Sequence, residues 1–272
     1  MISAFWLALR EGLEAALVMG IVLGALHKLG YKQHRRYVWL GAAGAIGVSL
    51  AVAVALAAWG AQLEGKAATV FEGITMLLAA LILTWMIAWM MVRGRHLQAS
   101  LEGRVQQTVA TAHQWGLFWL AFVVVAREGL ELALFLAASV FAASAYDVGI
   151  GALLGIAAAV ALGWATLTMT VRLNLGGFFR VTSVIMILVA AGLVAHGVHE
   201  LNEVGVIPVG VEHVWNFNSI LPDQSAVGQF LKTLVGYNGD PSMTEVLSYV
   251  LYLAAALFVL RQAHSVRLVR SG

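Results

Sequence analysis

A charged nine-residue motif occurs twice in the chain, each time inside a long apolar run. The segment LREGLEAAL at 9–17 returns at 126–134 as AREGLELAL, with seven of the nine positions identical. An ionised side chain in the middle of a bilayer costs about 2.5–3.5 kcal/mol on insertion scales. Six charged residues placed in this way need a function that offsets their cost, and a membrane site for a cation is the first candidate.

The composition indicates an all-α integral membrane protein. Hydrophobic residues make up 61% of the chain and charged residues 11%, whereas a soluble domain has about 25% charged residues. The sequence has no cysteine, which excludes disulfides, thiolate metal ligands and a cysteine nucleophile. The first apolar segment is not a cleavable signal peptide, because it contains Arg10, Glu11 and Glu14 and lacks a basic leader.

Hydropathy and length predict seven transmembrane helices. A hydrocarbon core of about 30 Å needs about 20 helical residues. The predicted spans are 4–26, 38–61, 71–92, 115–143, 148–171, 181–200 and 243–260.

The distribution of basic residues predicts the orientation. Twelve of the 16 Lys and Arg residues lie in the first, third and fifth loops and in the C-terminal tail. Basic loops stay on the cytoplasmic side. We therefore expect the N-terminus outside, the C-terminus in the cytoplasm, and an acidic outer loop at about 201–242.

The position of the two motifs predicts an inverted repeat. They lie in the first and fourth spans, and an odd separation of three spans makes the two copies cross the membrane in opposite directions. We expect one transmembrane domain over 1–272, with repeat one at about 1–93, repeat two at about 112–204 and one extra C-terminal helix at about 243–260. Such repeats place the substrate site near the midplane, where the halves meet.

The motif spacing predicts a metal site. Within each copy the two glutamates are three residues apart and share a helix face, and each arginine is four residues from the second glutamate. Carboxylates without thiolates suit a hard cation such as ferric iron, manganese or magnesium. A purely structural role, with the charges forming internal salt bridges, is the alternative. The candidate metal ligands are Glu11, Glu14, Glu128 and Glu131, with Arg10 and Arg127 as supporting charges.

A second polar cluster lies at the predicted outer ends of the third and sixth spans. Imidazole and carboxylate groups there form a candidate entry site for an incoming metal, although ordinary interfacial polar residues would give the same pattern. Its members are Glu72, His196, His199, Glu200 and Glu203.

At these residues the chain resembles the oxidase-dependent iron transporter family, which comprises bacterial EfeU-type and fungal high-affinity iron permeases. The resemblance rests on the REGLE motifs at 10–14 and 127–131. Further support comes from FEGI at 71–74, LTWM at 83–86, RLNLG at 172–176 and His199-Glu200.

The resemblance implies an iron permease with seven spans in the inner (plasma) membrane, and implies that the four motif glutamates are essential. Iron would be the transported substrate, expected as ferric ion, and no cofactor would be permanently bound. The expected partners are membrane lipid and a separate oxidase, either a periplasmic iron-binding protein with a haem peroxidase or another ferroxidase. We expect no nucleic-acid partner and no catalytic residue.

Two alternatives remain open at this point. A membrane carboxylate di-iron oxidase is one, although that chemistry favours Glu-x-x-His pairs and the pairs here are Glu-x-x-Glu. A transporter for another divalent metal, such as lead or manganese, is the other.

Overall fold

The protein is helical, with no strand among the residues that the structure describes. A computed structural model describes residues 1–60, 62–93, 114–142, 144–168 and 175–269. In chain order its helices are α1 Ile2–Lys28, α2 Arg35–Gly60, α3 Lys66–Arg93, α4 Gln114–Ala142, α5 Ala145–Thr168, α6 Leu175–Glu203, α7 Ala226–Val235 and α8 Met243–Val269, with a 3₁₀ turn at Lys32–His34 before α2.

Five of these helices are long and apolar enough to cross a membrane: α2, α3, α5, α6 and α8. The helices α1 and α4 contain 27 and 29 residues but carry the charged motifs. At 1.5 Å per residue, 27 residues extend about 40 Å, which exceeds the hydrocarbon thickness of about 30 Å. Length therefore permits α1 and α4 to cross as well, while their charges lower their apolar character.

The predicted spans coincide with the long helices, which continue past most of the predicted limits. Helix α6 runs from Leu175 to Glu203 where the predicted span was 181–200. Hydropathy marks only the apolar part of a helix, and the backbone hydrogen bonds continue into polar residues beyond it. The predicted span ends at Ala61, Ala143 and Val171 lie outside the described residues, as do 172–174 of the RLNLG motif.

Three helix pairs form the centre of the protein, the first two parallel and the third antiparallel. Helix α1 packs along α5, α4 packs along α2, and α3 packs along α6, while α1 and α4 also contact each other. Small residues permit this closeness: a Cβ on Gly73 would lie 2.9 Å from the carbonyl oxygen of Gly197, and a Cβ on Gly197 would lie 2.9 Å from that of Gly73. Helix α8 packs outside this core, against α6 and α3.

The segment between α6 and α8, expected from the sequence to be the outer loop, contains one short helix, α7, which was not predicted. The hydroxyl of Ser225 caps its start by accepting a hydrogen bond from the Gly228 N–H at 2.9 Å. Gly236 ends it with a φ of 71°, a left-handed conformation that glycine adopts without steric cost. Gly236 packs directly on Gly192 of α6, where added side-chain atoms would collide, so the segment is fitted closely to the helices beneath it.

Candidate metal site

The first motif forms a closed charge cluster on α1. The Arg10 guanidinium lies 3.0 Å from Glu11 Oε1 and 3.2 Å from Glu14 Oε1, and its Nη1 also donates to Met86 Sδ of α3 at 3.6 Å. The Arg10 side chain is 0% exposed and Glu11 is buried. One guanidinium thus joins both carboxylates of its own motif.

The second motif is more open. Arg127 Nε donates to Glu131 Oε1 at 2.9 Å, and the Arg127 side chain is 34% exposed. Glu128 is buried, and among the described residues no ion pair links it to a basic side chain. The predicted four-residue pairing of arginine with glutamate is therefore present in both copies, in different surroundings.

The two motifs meet where α1 faces α4. Glu11, Glu128 and Glu131 each place a carboxylate oxygen so that the three atoms lie within 4.8 Å of one another, the one group of potential metal ligands found among the described residues. The Oε2 atoms of all three are buried and have no hydrogen-bond partner. Buried polar atoms are normally satisfied, so the cluster is suited to a bound cation.

The fourth glutamate, Glu14, is not in this group of three. It lies beside Arg10 and within electrostatic range of Glu131. The motif glycines do not pack on each other either. A Cβ on Gly12 would lie 2.8 Å from Ala159 Cβ of α5, and one on Gly129 would lie 2.8 Å from Ser49 Cβ of α2. They bring each motif helix close to the parallel helix beside it.

The ligand set favours a hard cation. Each ligand is a carboxylate, and the described residues bring no imidazole within this cluster. Four ionised carboxylates and two guanidiniums leave a net charge of −2, which a multivalent cation would neutralise. Hard cations such as ferric iron, Mg²⁺ and Mn²⁺ prefer oxygen ligands of this kind.

The outer cluster contains a hydrogen-bonded centre that the sequence did not fully predict. His199 Nδ1 lies 2.9 Å from Glu245 Oε1, and its Nε2 lies 3.4 Å from Glu203 Oε1. Glu245, buried in the first turn of α8, also accepts from Asn238 Nδ2 at 2.8 Å and from the Ser242 N–H at 3.1 Å. Glu245 could have been recognised from the sequence as a candidate, because it is a carboxylate in the first turn of an otherwise apolar helix.

The remaining outer residues are spread around this centre. Glu72 and Glu200 lie within electrostatic range of Glu203. His196 Nδ1 is 3.1 Å from the Gly192 carbonyl oxygen of its own helix. In the described part of the chain, these five predicted residues do not bring three ligand atoms together, so the geometry resembles a polar surface more than a preformed metal site.

A small cavity of about 20 Å³ adjoins His196 of the outer cluster and is large enough for about one water molecule. His196 borders it together with polar residues from α1, α4 and α7. The polar lining residues are Ser3, Ser139, His196, Lys232 and Thr233.

Comparison with known proteins identifies the family. The Iron permease FTR1 family matches residues 1–269. The chain belongs to this family. It is 35% identical over 263 residues to a protein named ferrous iron permease EfeU from Escherichia coli O157:H7, covering 94% of each chain. It is 33% identical over 265 residues to the ferrous iron permease EfeU of Yersinia pestis, covering 95% of this chain and 93% of that one. No solved structure matches.

Membership of the Iron permease FTR1 family confirms the resemblance drawn from the REGLE motifs. Together with the five apolar helices, it makes this a multi-pass membrane protein of the transporter class. The names of the family and of the relatives support a permease and not the di-iron oxidase alternative.

Proposed function

We propose that this chain carries iron into the cytoplasm through a midplane site formed by the motif glutamates. The observation that carries the proposal is the convergence of Glu11, Glu128 and Glu131 from two different helices, with three buried oxygens that lack hydrogen-bond partners. Ionisable residues placed within a membrane mark ion pathways, and the family is one of iron permeases.

The transport architecture we propose has seven spans, with α1–α3 and α4–α6 as inverted repeats and α8 as the additional span. The packing pattern supports it. In such a repeat α1 corresponds to α4, α2 to α5 and α3 to α6. The α1–α5 pair then corresponds to the α4–α2 pair, and the α3–α6 and α1–α4 contacts each correspond to themselves. The site then lies at the contact between halves, as in other inverted-repeat transporters. The basic loops support an N-terminus outside and a C-terminus in the cytoplasm of a cell with this protein in its inner (plasma) membrane.

The path we propose begins at the outer cluster. Iron arriving from outside meets Glu203, His199 and their neighbours, passes the cavity beside His196, and reaches the glutamates. The proposed cargo is ferric iron, because a hard trivalent cation gains most from carboxylate oxygens. A separate ferroxidase, or a periplasmic iron-binding protein with a haem peroxidase, would supply it. The names of the relatives specify ferrous iron, so the oxidation state is the first quantity to test.

Uptake into liposomes tests this function. Purified protein would be reconstituted and given ferrous iron with ascorbate, or ferric iron as its citrate complex, in separate assays. We expect uptake with ferric iron to exceed uptake with ferrous iron, and Glu128→Gln to abolish it. The matched control is Glu64→Gln, an exposed loop carboxylate far along the chain from both motifs. Equal uptake by Glu128→Gln and Glu64→Gln would contradict the glutamate site, and transport of ferrous iron alone would correct the oxidation state.

A further inference from the structure

The two motifs are identical over Arg-Glu-Gly-Leu-Glu but are found in two different structural states. Arg10 is fully buried and Arg127 is 34% exposed. Leu13 is 1% exposed, whereas its counterpart Leu130 is 37% exposed. Identical sequences have the same intrinsic preferences, so the difference comes from how each half is packed: the first is closed over its motif and the second is open.

The ion pairs differ in the same way. Arg10 reaches both carboxylates of its motif and holds Glu14 at 3.2 Å, whereas the ion pair of Arg127 is with Glu131 at 2.9 Å. The group of three oxygens takes both glutamates of the open half and one of the closed half. Exchanging the halves would keep Glu11 and Glu128 in the group and replace Glu131 with Glu14.

We propose that the two halves exchange these states during transport, so that Glu11 and Glu128 ligate the metal throughout while Glu131 and Glu14 alternate as the third ligand. In the exchanged state the Arg127 guanidinium forms ion pairs with both Glu128 and Glu131, and the ion pair of Arg10 is with Glu14. The metal then moves by exchanging one carboxylate for another while two ligands stay in place. This inference rests on the proposed iron permease function.

The physical reason for such an exchange is the similarity of the two states in energy. Each state has one fully buried arginine, one partly exposed arginine and one group of three carboxylates, so exchanging the halves conserves the interactions within the two motifs. A transporter needs two conformations separated by a few kcal/mol, and a repeated sequence supplies a pair of matched conformations. The arginines are positioning residues here, because each one holds carboxylates of its own motif in place.

Binding and uptake of radioactive iron, measured on the same variants, test the assignment. Glu11→Gln and Glu128→Gln remove a ligand from both states, and we expect iron binding to weaken by at least about 10- to 100-fold, the loss seen even for residues that only support a metal ligand. Glu14→Gln and Glu131→Gln each leave one state with three carboxylates. We expect these two variants to bind iron about as well as the wild type and to lose uptake.

A conformational readout separates this from a simple loss of folding. The chain has no cysteine, so Leu13→Cys and Leu130→Cys are single reporters for a maleimide in detergent. With Glu14→Gln we expect position 130 to react and position 13 to be protected, as the exposures in this structure require. With Glu131→Gln we expect the reverse.

Several results would overturn the exchange. If the Glu14→Gln variant still takes up iron, transport does not require Glu14 and Glu131 to alternate as the third ligand. Equal loss of binding in all four variants would indicate one fixed site of four carboxylates, and identical labelling in Glu14→Gln and Glu131→Gln would show that the halves do not exchange. A wild-type protein that neither binds nor transports iron would instead refute the proposed function itself.

Discussion

The packing of Gly12 against α5 allows a quantitative test of the site, because Gly12 directly follows a proposed ligand. A Cβ added at Gly12 would lie 2.8 Å from Ala159 Cβ, whereas non-bonded carbon atoms prefer about 3.5–4.0 Å. In Gly12→Ala the two helices must therefore separate by about 1 Å at this point. Overpacking of this kind costs about 1–3 kcal/mol, and Glu11 moves together with the backbone.

Gly24→Ala on the same helix is the matched control, since a Cβ there has no atom within 4 Å. Both substitutions raise helix propensity by about 1 kcal/mol, so the difference between them isolates the collision. We expect Gly12→Ala to be less stable than Gly24→Ala by about 1–3 kcal/mol. We also expect its iron uptake to fall by at least about tenfold, because ligands must be held within about 0.5 Å.

Removing the opposing methyl group provides the rescue. The double variant Gly12→Ala, Ala159→Gly only exchanges the methyl group between the helices, so we expect most of the stability and uptake to return. Thermal unfolding in detergent and uptake into liposomes are the two assays. If Gly12→Ala behaved like Gly24→Ala, or if Ala159→Gly failed to rescue it, the close α1–α5 contact and its link to the site would be refuted.

Two further predictions concern the orientation and the outer cluster. Single cysteines at Lys66 and Gly210 should react with an impermeant thiol reagent in intact cells, whereas one at Gln33 should not, because the basic first loop is expected in the cytoplasm; labelling at Gln33 would reverse the orientation. His199→Asn keeps a donor for Glu245 but removes the imidazole, so we expect a higher half-saturation for iron with the maximal uptake rate largely kept. A complete loss of uptake at saturating iron would make the outer cluster part of the translocation site.

The helices could be predicted from the sequence because hydropathy acts over 20 or more residues at a time. Each predicted span falls on one long helix, including the two that carry charges, because six charged residues do not outweigh the apolar residues around them. The short helix α7 escaped prediction. Its ten residues are too few to produce a clear apolar signal, and its position depends on the contact of Gly236 with Gly192.

The hydrogen-bonded centre of the outer cluster, which includes His199 and Glu245, was not fully predicted for a related reason. The proximity of His199 and Glu203 can be predicted, because they are four residues apart on one helix. Glu245 lies 46 residues from His199 along the chain, and only the fold of the outer segment brings them together. Local spacing predicts contacts within a helix, whereas contacts between helices depend on which faces pack.

The same limit explains how much of the candidate metal site could be predicted from the sequence. Repetition of the motif indicated four equivalent carboxylates, because the sequence assigns the same residue types to both halves. The structure distinguishes them through neighbours that the motifs do not share: Met86 accepts a hydrogen bond from Arg10, and Leu130 stays exposed where Leu13 is covered. A sequence repeat therefore predicts the composition of a site at the contact between the halves. Which three of the four glutamates lie together is a property of the conformation, and the repeated sequence does not specify it.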